Sequence, residues 1–403
     1  MHLVFVTSLV PSGPPESGYE IANACVIDAL RRAGVRLTVL GFAWPGASPL
    51  DPQATVLLGE VDVRTDTASR VQQVAWLASA VWNGLTFASA KLRVIGEDTL
   101  RTRLAAIGEV DGYVLNGVPL AGAWPGLFME RPFFFIAHNV EHLSAQQNAQ
   151  NARSTFQRLL YQREACILES LEAEFCARAH HVWTFAEEDI EALGLSRADA
   201  SVLPLLTPQK PGAPRTGADI VFDAGLIGTW TWAPNRVGLE WFLREVAPRL
   251  PADARIAVAG KLPGDFDIRP PGVEFLGRVE SADAFLRSCA VVPLVSRAGT
   301  GIQLKTIEAF QAGYPAVTTS SSLRGIGAVP ANVTVADDPA AFAGALTEAI
   351  AKSRKNGPQD VDGRAFNESQ RAGIDKALAR DLAKLAQRPA QRLHVSKTPA
   401  LAG

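Results

Sequence analysis

The chain is poor in the residues that build covalent and metal frameworks. Only four cysteines occur in 403 residues: Cys25, Cys166, Cys176 and Cys289. None forms a Cys-x-x-Cys pair or a metal-like spacing with histidine, which argues against a disulfide scaffold and a zinc site. They read as reduced fillers, mostly on helical segments. An excess of one charge is missing too. The 39 basic and 41 acidic residues leave a net charge of −2, which argues against nucleic acid as partner. There is no run of about 20 apolar residues, so no spanning helix is expected. The nearest approach, residues 74–92, is interrupted by Ser79, Asn83, Gly84 and Ser89. It reads as a buried or amphipathic helix; a sharper reading makes it a peripheral contact with membrane or a lipid-linked acceptor. Met1–Val6 lacks the basic flank and apolar length of a secretory signal. The expectation is a cytoplasmic protein, peripheral at most to the inner face of the membrane.

What the sequence does contain is alternation. Leu3–Thr7 is a short apolar run, followed by a Pro/Gly/Ser-rich loop, a helical pattern over 20–34 stopped by Gly34, and a second run, Val35–Leu40. Strand, helix and strand in this order predict parallel pairing. Tyr113–Leu115, Phe133–Ala137 and His181–Thr184 read as further strands. Phe133–Ala137 carries no polar residue and needs cover on both faces. A long helix is expected over about 157–179. Residues 206–219 hold Pro208, Pro211, Pro214, Gly212 and Gly217 and read as an interdomain linker.

The alternation then restarts. Strands are expected at 220–228, 255–259, 273–276, 291–294 and 315–319, with helices at 234–250, 282–289 and 302–312. The fold class predicted is α/β, with two Rossmann-like domains facing across a cleft. The boundaries are 1–205, 206–219 for the linker and 220–387, with the last helix free to return to the first domain. Residues 388–403 read as a disordered tail. Ligands of such sheets bind beyond the carboxyl ends of the strands.

The richest loop there is residues 291–315. A strand ends near Leu294, and a small-residue loop containing Gly299 and Gly301 leads into a helix. Free backbone amides at such a turn suit an anion such as diphosphate. Lys305 and Glu308 lie three apart and share a face. The carboxylate suits a diol such as ribose. On spacing alone, a plain turn with a surface Lys–Glu pair explains the segment equally well.

Residues 299–319, from Gly-Thr-Gly-Ile-Gln-Leu-Lys-Thr-Ile-Glu onward, resemble the donor-site signature of the retaining GT-B glycosyltransferases of family 4 (group 1), in a branch associated with cell-surface polysaccharides. Glu308 matches the second glutamate of the Glu-x7-Glu pattern, which the resemblance implies binds the ribose. Thr300 stands where the first glutamate would fall. Residues 225–243 resemble the family's opening strand and loop of this domain, with Gly228 at the strand tip. Thr229 replaces a common phosphate-binding arginine, leaving Arg236 or Lys305 as substitutes. Trp230 and Trp232 are expected to pack under the loop. Residues 257–264 and 273–279 look like the glycine-ended strand and the Phe-x-Gly-x-Val element beside the nucleotide, which makes Gly260, Lys261, Gly277, Arg278 and Val279 candidates. In the first half, Phe135-Ile-Ala-His-Asn-Val-Glu resembles the family's strand-end motif and implies that His138 lies near the transferring sugar. Gly18, with Glu20 as a weaker candidate, would belong to the first loop.

The resemblance implies catalytic roles for His138, Lys305 and Glu308. It implies donor contacts from Gly18, Gly228, Gly260, Lys261, Gly277, Arg278, Val279, Gly299, Thr300, Gly301 and Ile302. The expected partners are a nucleotide diphosphate sugar and a glycan or lipid-linked acceptor, with no cofactor and no metal. A nicotinamide or flavin enzyme is disfavoured, since no strand is followed by Gly-x-Gly-x-x-Gly and a downstream acid. A catalytically degenerate or purely sugar-nucleotide-binding relative is the alternative that Thr229 and Thr300 keep open.

Overall fold

The computed structural model describes residues 1–15, 17–65, 67–152, 154–213, 215–297, 299 and 301–387. The first sheet has seven strands: β1 (His2–Leu9), β2 (Arg36–Ala43), β3 (Thr55–Glu60), β4 (Gly112–Asn116), β5 (Phe133–Ala137), β6 (His181–Thr184) and β7 (Ala200–Val202). Their spatial order is β3-β2-β1-β4-β5-β6-β7, and all pairings are parallel. The second sheet has six: β8 (Phe222–Ile227), β9 (Ile256–Ala259), β10 (Val273–Gly277), β11 (Cys289–Leu294), β12 (Ala316–Thr318) and β13 (Val333–Val335). Their order is β10-β9-β8-β11-β12-β13, again parallel.

Both orders reverse at an internal strand pair, β1/β4 and β8/β11. Adjacent connections leave in opposite directions there, so a crevice opens beyond the strand ends. The predicted site loops follow β1, β5, β8, β9, β10 and β11, at or next to these points.

The central strands are buried on both faces, as their composition requires. Phe134 stacks on Trp183 with centroids 4.6 Å apart, while Phe133 and Phe135 meet Phe175 on the other face. Three edge strands, β3, β7 and β13, were not expected from the sequence. They are short or half-exposed and pair on one side only.

Several local expectations are corrected. The helix foreseen at 234–250 is regular only over Ala233–Trp241 and continues as a wide turn, Phe242–Val246. Pro248 has no N–H to give to the preceding turn, and the chain takes a bond from Ala247 N to Phe242 O instead. The helix foreseen from Ile302 begins at Leu304, so Ile302 and Gln303 lie in the loop ahead of it. Residues 74–92 form two helices, Arg70–Trp82 and Phe87–Leu92, parted at Asn83-Gly84. Among the described residues no helix is long and apolar enough to cross a membrane.

Residues 206–219 are tied to the second sheet. Thr207 N and Oγ1 donate to Gln311 Oε1 at 2.9 and 2.8 Å. Arg215, fully buried, pairs with Asp360 and lies over the Tyr314 ring. The helix Gly363–Gln387 returns to the first sheet. Phe366 meets Phe310 of the second domain, and Asp381 accepts from Trp183 Nε1 at 3.0 Å. One apolar cluster therefore runs through both domains, from Phe5 and Phe134 through Leu378 and Ile374 to Phe310. The tail expected at 388–403 lies outside the described residues.

Candidate functional site

The β8 and β9 loops meet Lys305 beneath the crevice. Trp230 is buried under the β8 loop, with its Nε1 donating to Ala259 O at 2.8 Å and its backbone N–H to Lys261 O. Gly260 has φ +111°, and a Cβ there would collide with the Gly228 carbonyl oxygen. Only glycine permits this crossing of the two loops. A Cβ on Gly228 would lie 2.9 Å from Lys305 Nζ, and Nζ sits 5.2 Å from the Trp230 ring centroid. The first turn of the helix Leu304–Ala312 thus aims its lysine at two glycine strand tips.

Lys305 is largely buried, and among the described residues neither its ammonium nor the Glu308 carboxylate has a hydrogen-bond or ion-pair partner within reach. Burial lowers the Lys305 pKa to about 8, with the Glu308 charge opposing the shift. Burial likewise raises Glu308, against the pull of Lys305. A cation held this way has lost water and gained little in return, so an anion fits it.

The remaining sequence candidates fall into two groups. Gly18 packs against Leu304, Gly301 against the Asn139 side chain, Gly299 (φ +99°) against Pro234, and Ile302 beside Gly325. Gly18, Gly301 and Ile302 line the seam between the domains, whereas Gly299 packs within the second. Gly277 supports the β9 tip through its carbonyl, which accepts from Gly260 N at 2.6 Å, and Val279 packs partly into the core. Lys261 and Arg278 are exposed, and the Lys261 carbonyl accepts from the backbone N–H of Trp230. Thr300 lies outside the described residues. Arg236, foreseen as a substitute phosphate clamp, is engaged by Glu240 and Asp265 and is corrected to a surface ion-pair residue. Trp232 is half-exposed, unlike the buried Trp230. Glu20 caps the first helix with Ser17.

His138 closes β5 across the seam. Its ring lies 5.0 Å from both Tyr19 and Phe185. Its Nε2 is 2.7 Å from Asn116 Oδ1. The Asn116 amide donates to Asn23 Oδ1 at 2.6 Å and reaches Tyr19 OH at 3.1 Å. A carbonyl oxygen only accepts, so His138 carries its proton on Nε2 and presents Nδ1 as an acceptor. Burial holds its pKa down to about 4, which keeps the ring neutral. Side-chain 1H–15N spectra should show the Nε2–H form unchanged between pH 8 and about pH 5. Asn116→Ala should release a mixture of tautomers. A charged ring at pH 6 would contradict the assignment.

The sequence did not reveal this Asn116–Asn23–Tyr19–Thr7 network. Its one visible signal was a polar residue ending an apolar strand, β4, beside the switch point. Asn139, Glu141 and the Asp189–Arg324 pair were missed as well. Arg324 reaches across from the second domain to Asp189 of the first. Glu141, behind Asn139, is pushed up to about 7 by burial, with Glu172 and Asp189 adding to the rise. Glu172 is engaged by the backbone of Glu141 and by His142. Among the described residues no group of three or more His, Cys, Asp or Glu has metal-binding placement.

Residues 222–352, roughly a third of the chain, match the glycosyl transferases group 1 family. No curated protein matches the chain. Among solved structures, Alr3699/HepE of Anabaena in complex with UDP aligns over 95% of this chain and 100% of its own, with TM-score 0.57 and 14% identity. Sucrose-phosphate synthase (tll1590) from Thermosynechococcus elongatus aligns over 96% and 98%, with TM-score 0.59 and 14% identity. The lipopolysaccharide outer core galactosyltransferase WaaB, apo form, aligns over 96% and 99%, with TM-score 0.51 and 13% identity. The fold is the two-domain α/β arrangement of GT-B glycosyltransferases, and residues 222–352 in its second half are similar to the group 1 glycosyl transferases.

Proposed function

We propose that this protein is a retaining glycosyltransferase. It moves a hexose-like sugar from a nucleoside diphosphate donor to a hydroxyl of a glycan or lipid-linked acceptor, in the synthesis of cell-surface polysaccharide or glycolipid. The observation that carries the reading is the unpartnered Lys305 ammonium beside the Gly228 and Gly260 strand tips, within the group 1 domain. A fixed cation there stabilises the charge that grows on the leaving diphosphate. Glu308 orients the ribose, and the Gly299–Ile302 loop holds the sugar and its phosphate. His138 offers Nδ1 to a sugar hydroxyl from the opposite rim. The bond from the anomeric carbon to the phosphate oxygen breaks, the bond to the acceptor oxygen forms on the same face, and the acceptor proton passes to the departing phosphate. No protein nucleophile or metal takes part. Domain contact through Asn139 and Gly301 excludes water during transfer.

HepE binds UDP, so UDP-sugars come first in a thermal-shift screen that also covers GDP-, dTDP- and CMP-sugars. The matching donor should raise the melting temperature. Glu308→Ala should bind that donor about tenfold or more weakly while keeping the parent far-UV spectrum. Equal donor affinity in parent and variant would remove Glu308 from the site. Donor binding without transfer to any acceptor would point to the degenerate, binding-only alternative.

A further inference from the structure

The helix Arg70–Trp82 buries Trp76 and Ala80 but leaves its outer face apolar. Val71, Val74, Val81 and Trp82 are exposed, Trp82 to 91%, and Ala75 and Ala78 complete the stripe. No Asp or Glu occurs from residue 67 to residue 96, whereas Arg70, Lys91 and Arg93 do. A second element with the same character packs beside it. Arg163 donates to the carbonyls of Ala80 and Leu85 at 2.7 and 3.0 Å. The neighbouring Glu164 is taken up by Phe87 N and Arg163. One to two turns upstream, about 6–10 Å along the same helix, Phe156 and Leu159 are 64% and 60% exposed. Residues 142–163 hold Arg153, Arg158 and Arg163 and again no acid. Arg70, Arg93 and Arg158 have no ion-pair or hydrogen-bond partner for their side chains among the described residues.

We propose that these two elements form a docking surface for a bilayer carrying anionic headgroups. Charge complementarity selects this occupant. A chain of net charge −2 places two acid-free, arginine-bearing segments around exposed Val, Trp, Phe and Leu side chains. That pairing suits an interface with apolar depth and negative surface potential. A face for a second copy of this chain would meet its own arginines, and like charges would oppose the contact. Trp82 at the helix end suits the boundary between headgroups and acyl chains. Buried Lys91 takes no part. Its ammonium is held by Val63 O and Thr65 Oγ1 and lies over the Trp76 and Phe87 rings.

The test is co-sedimentation of the full chain with vesicles of phosphatidylcholine alone, or mixed with phosphatidylglycerol. It needs neither donor nor acceptor, so the sugar-transfer proposal stands or falls separately. The mixed vesicles should bind the protein, and added salt should release it by on the order of tenfold as the Debye length shrinks. Val81→Glu with Trp82→Glu should weaken binding by about tenfold or more at unchanged melting temperature. The conservative pair Val81→Leu and Trp82→Phe should retain it, which separates loss of the surface from loss of fold. Failure of the parent to bind mixed vesicles overturns the proposal, as does equal binding by the Glu pair. A parent dimer in light scattering that the Glu pair dissolves, without vesicle binding, assigns the face to a second copy and also overturns it.

Discussion

Lys305→Met should make the ligand-free protein more stable and the donor ineffective. A lysine whose pKa falls from 10.5 to about 8 on folding is carried at neutral pH as a charge that the fold disfavours. At 1.36 kcal/mol per unit, reduced because the ammonium keeps some solvent contact, the cost is about 1–2 kcal/mol. Methionine of similar length removes it. The melting temperature should rise by roughly 2–6 °C. The sign follows from linkage. Between pH 8 and 10.5 the unfolded chain binds more protons, so parent stability rises with pH there. The advantage of the variant is therefore full below pH 8 and fades above it. Donor affinity moves oppositely. The diphosphate needs the ammonium, so in the parent the dissociation constant should increase about fivefold from pH 8 to pH 9. In Lys305→Met, donor-induced stabilisation should vanish and its pH dependence with it. Differential scanning fluorimetry across pH reads both effects. A lysine placed for structure would give a lower melting temperature on substitution, and that outcome refutes the argument.

This arrangement was partly legible in the sequence. Lys305 and Glu308 could be placed on one helical face by spacing, and Gly228, Gly260 and Gly277 at strand tips by the apolar runs before them. Phe133–Ala137 announced a central strand because it had no polar residue to turn outward. Edge strands gave no such signal, since pairing on one side only is compatible with half-exposed, mixed sequences such as Thr55–Glu60. Cations posed a different difficulty. Arg236 and Lys305 looked alike as charges near a glycine loop. Asp265, 29 positions away from Arg236 in the chain, decides between them, and nothing local predicts that pairing. The orientation of His138 depends on Asn116 and through it on Asn23, residues separated by 22 and 93 positions. Such networks are set by sheet order, which brings β1 beside β4 and β4 beside β5 only after folding.

The largest loss of stability is expected from Asp381→Ala. This carboxylate is fully buried at the end of the returning helix. It accepts from Trp183 Nε1 at 3.0 Å, Ser201 Oγ at 2.7 Å and Arg380 Nε at 2.8 Å, with His181 Nε2 at 3.2 Å. Burial alone would raise its pKa, but these donors outweigh it and hold the group far below the usual carboxylate range. A depressed carboxylate stabilises the fold above its unfolded pKa, about 3.9, and the contribution is lost as pH falls through the folded value. At neutral pH the full effect is present. Removing one partner from a buried charged network costs about 3–5 kcal/mol, so the melting temperature should drop by roughly 6–15 °C. The consequence should reach the site. Trp183 stacks on Phe134, and Phe134 lies on β5, the strand that ends at His138. Loosening the helix should therefore reduce sugar transfer more than donor binding, because the donor residues belong to the second sheet and His138 to the first. Asp381→Asn, which keeps an acceptor for Trp183, should fall between parent and alanine variant. Transfer and donor affinity declining in equal proportion would show that the returning helix does not position the first domain over the donor.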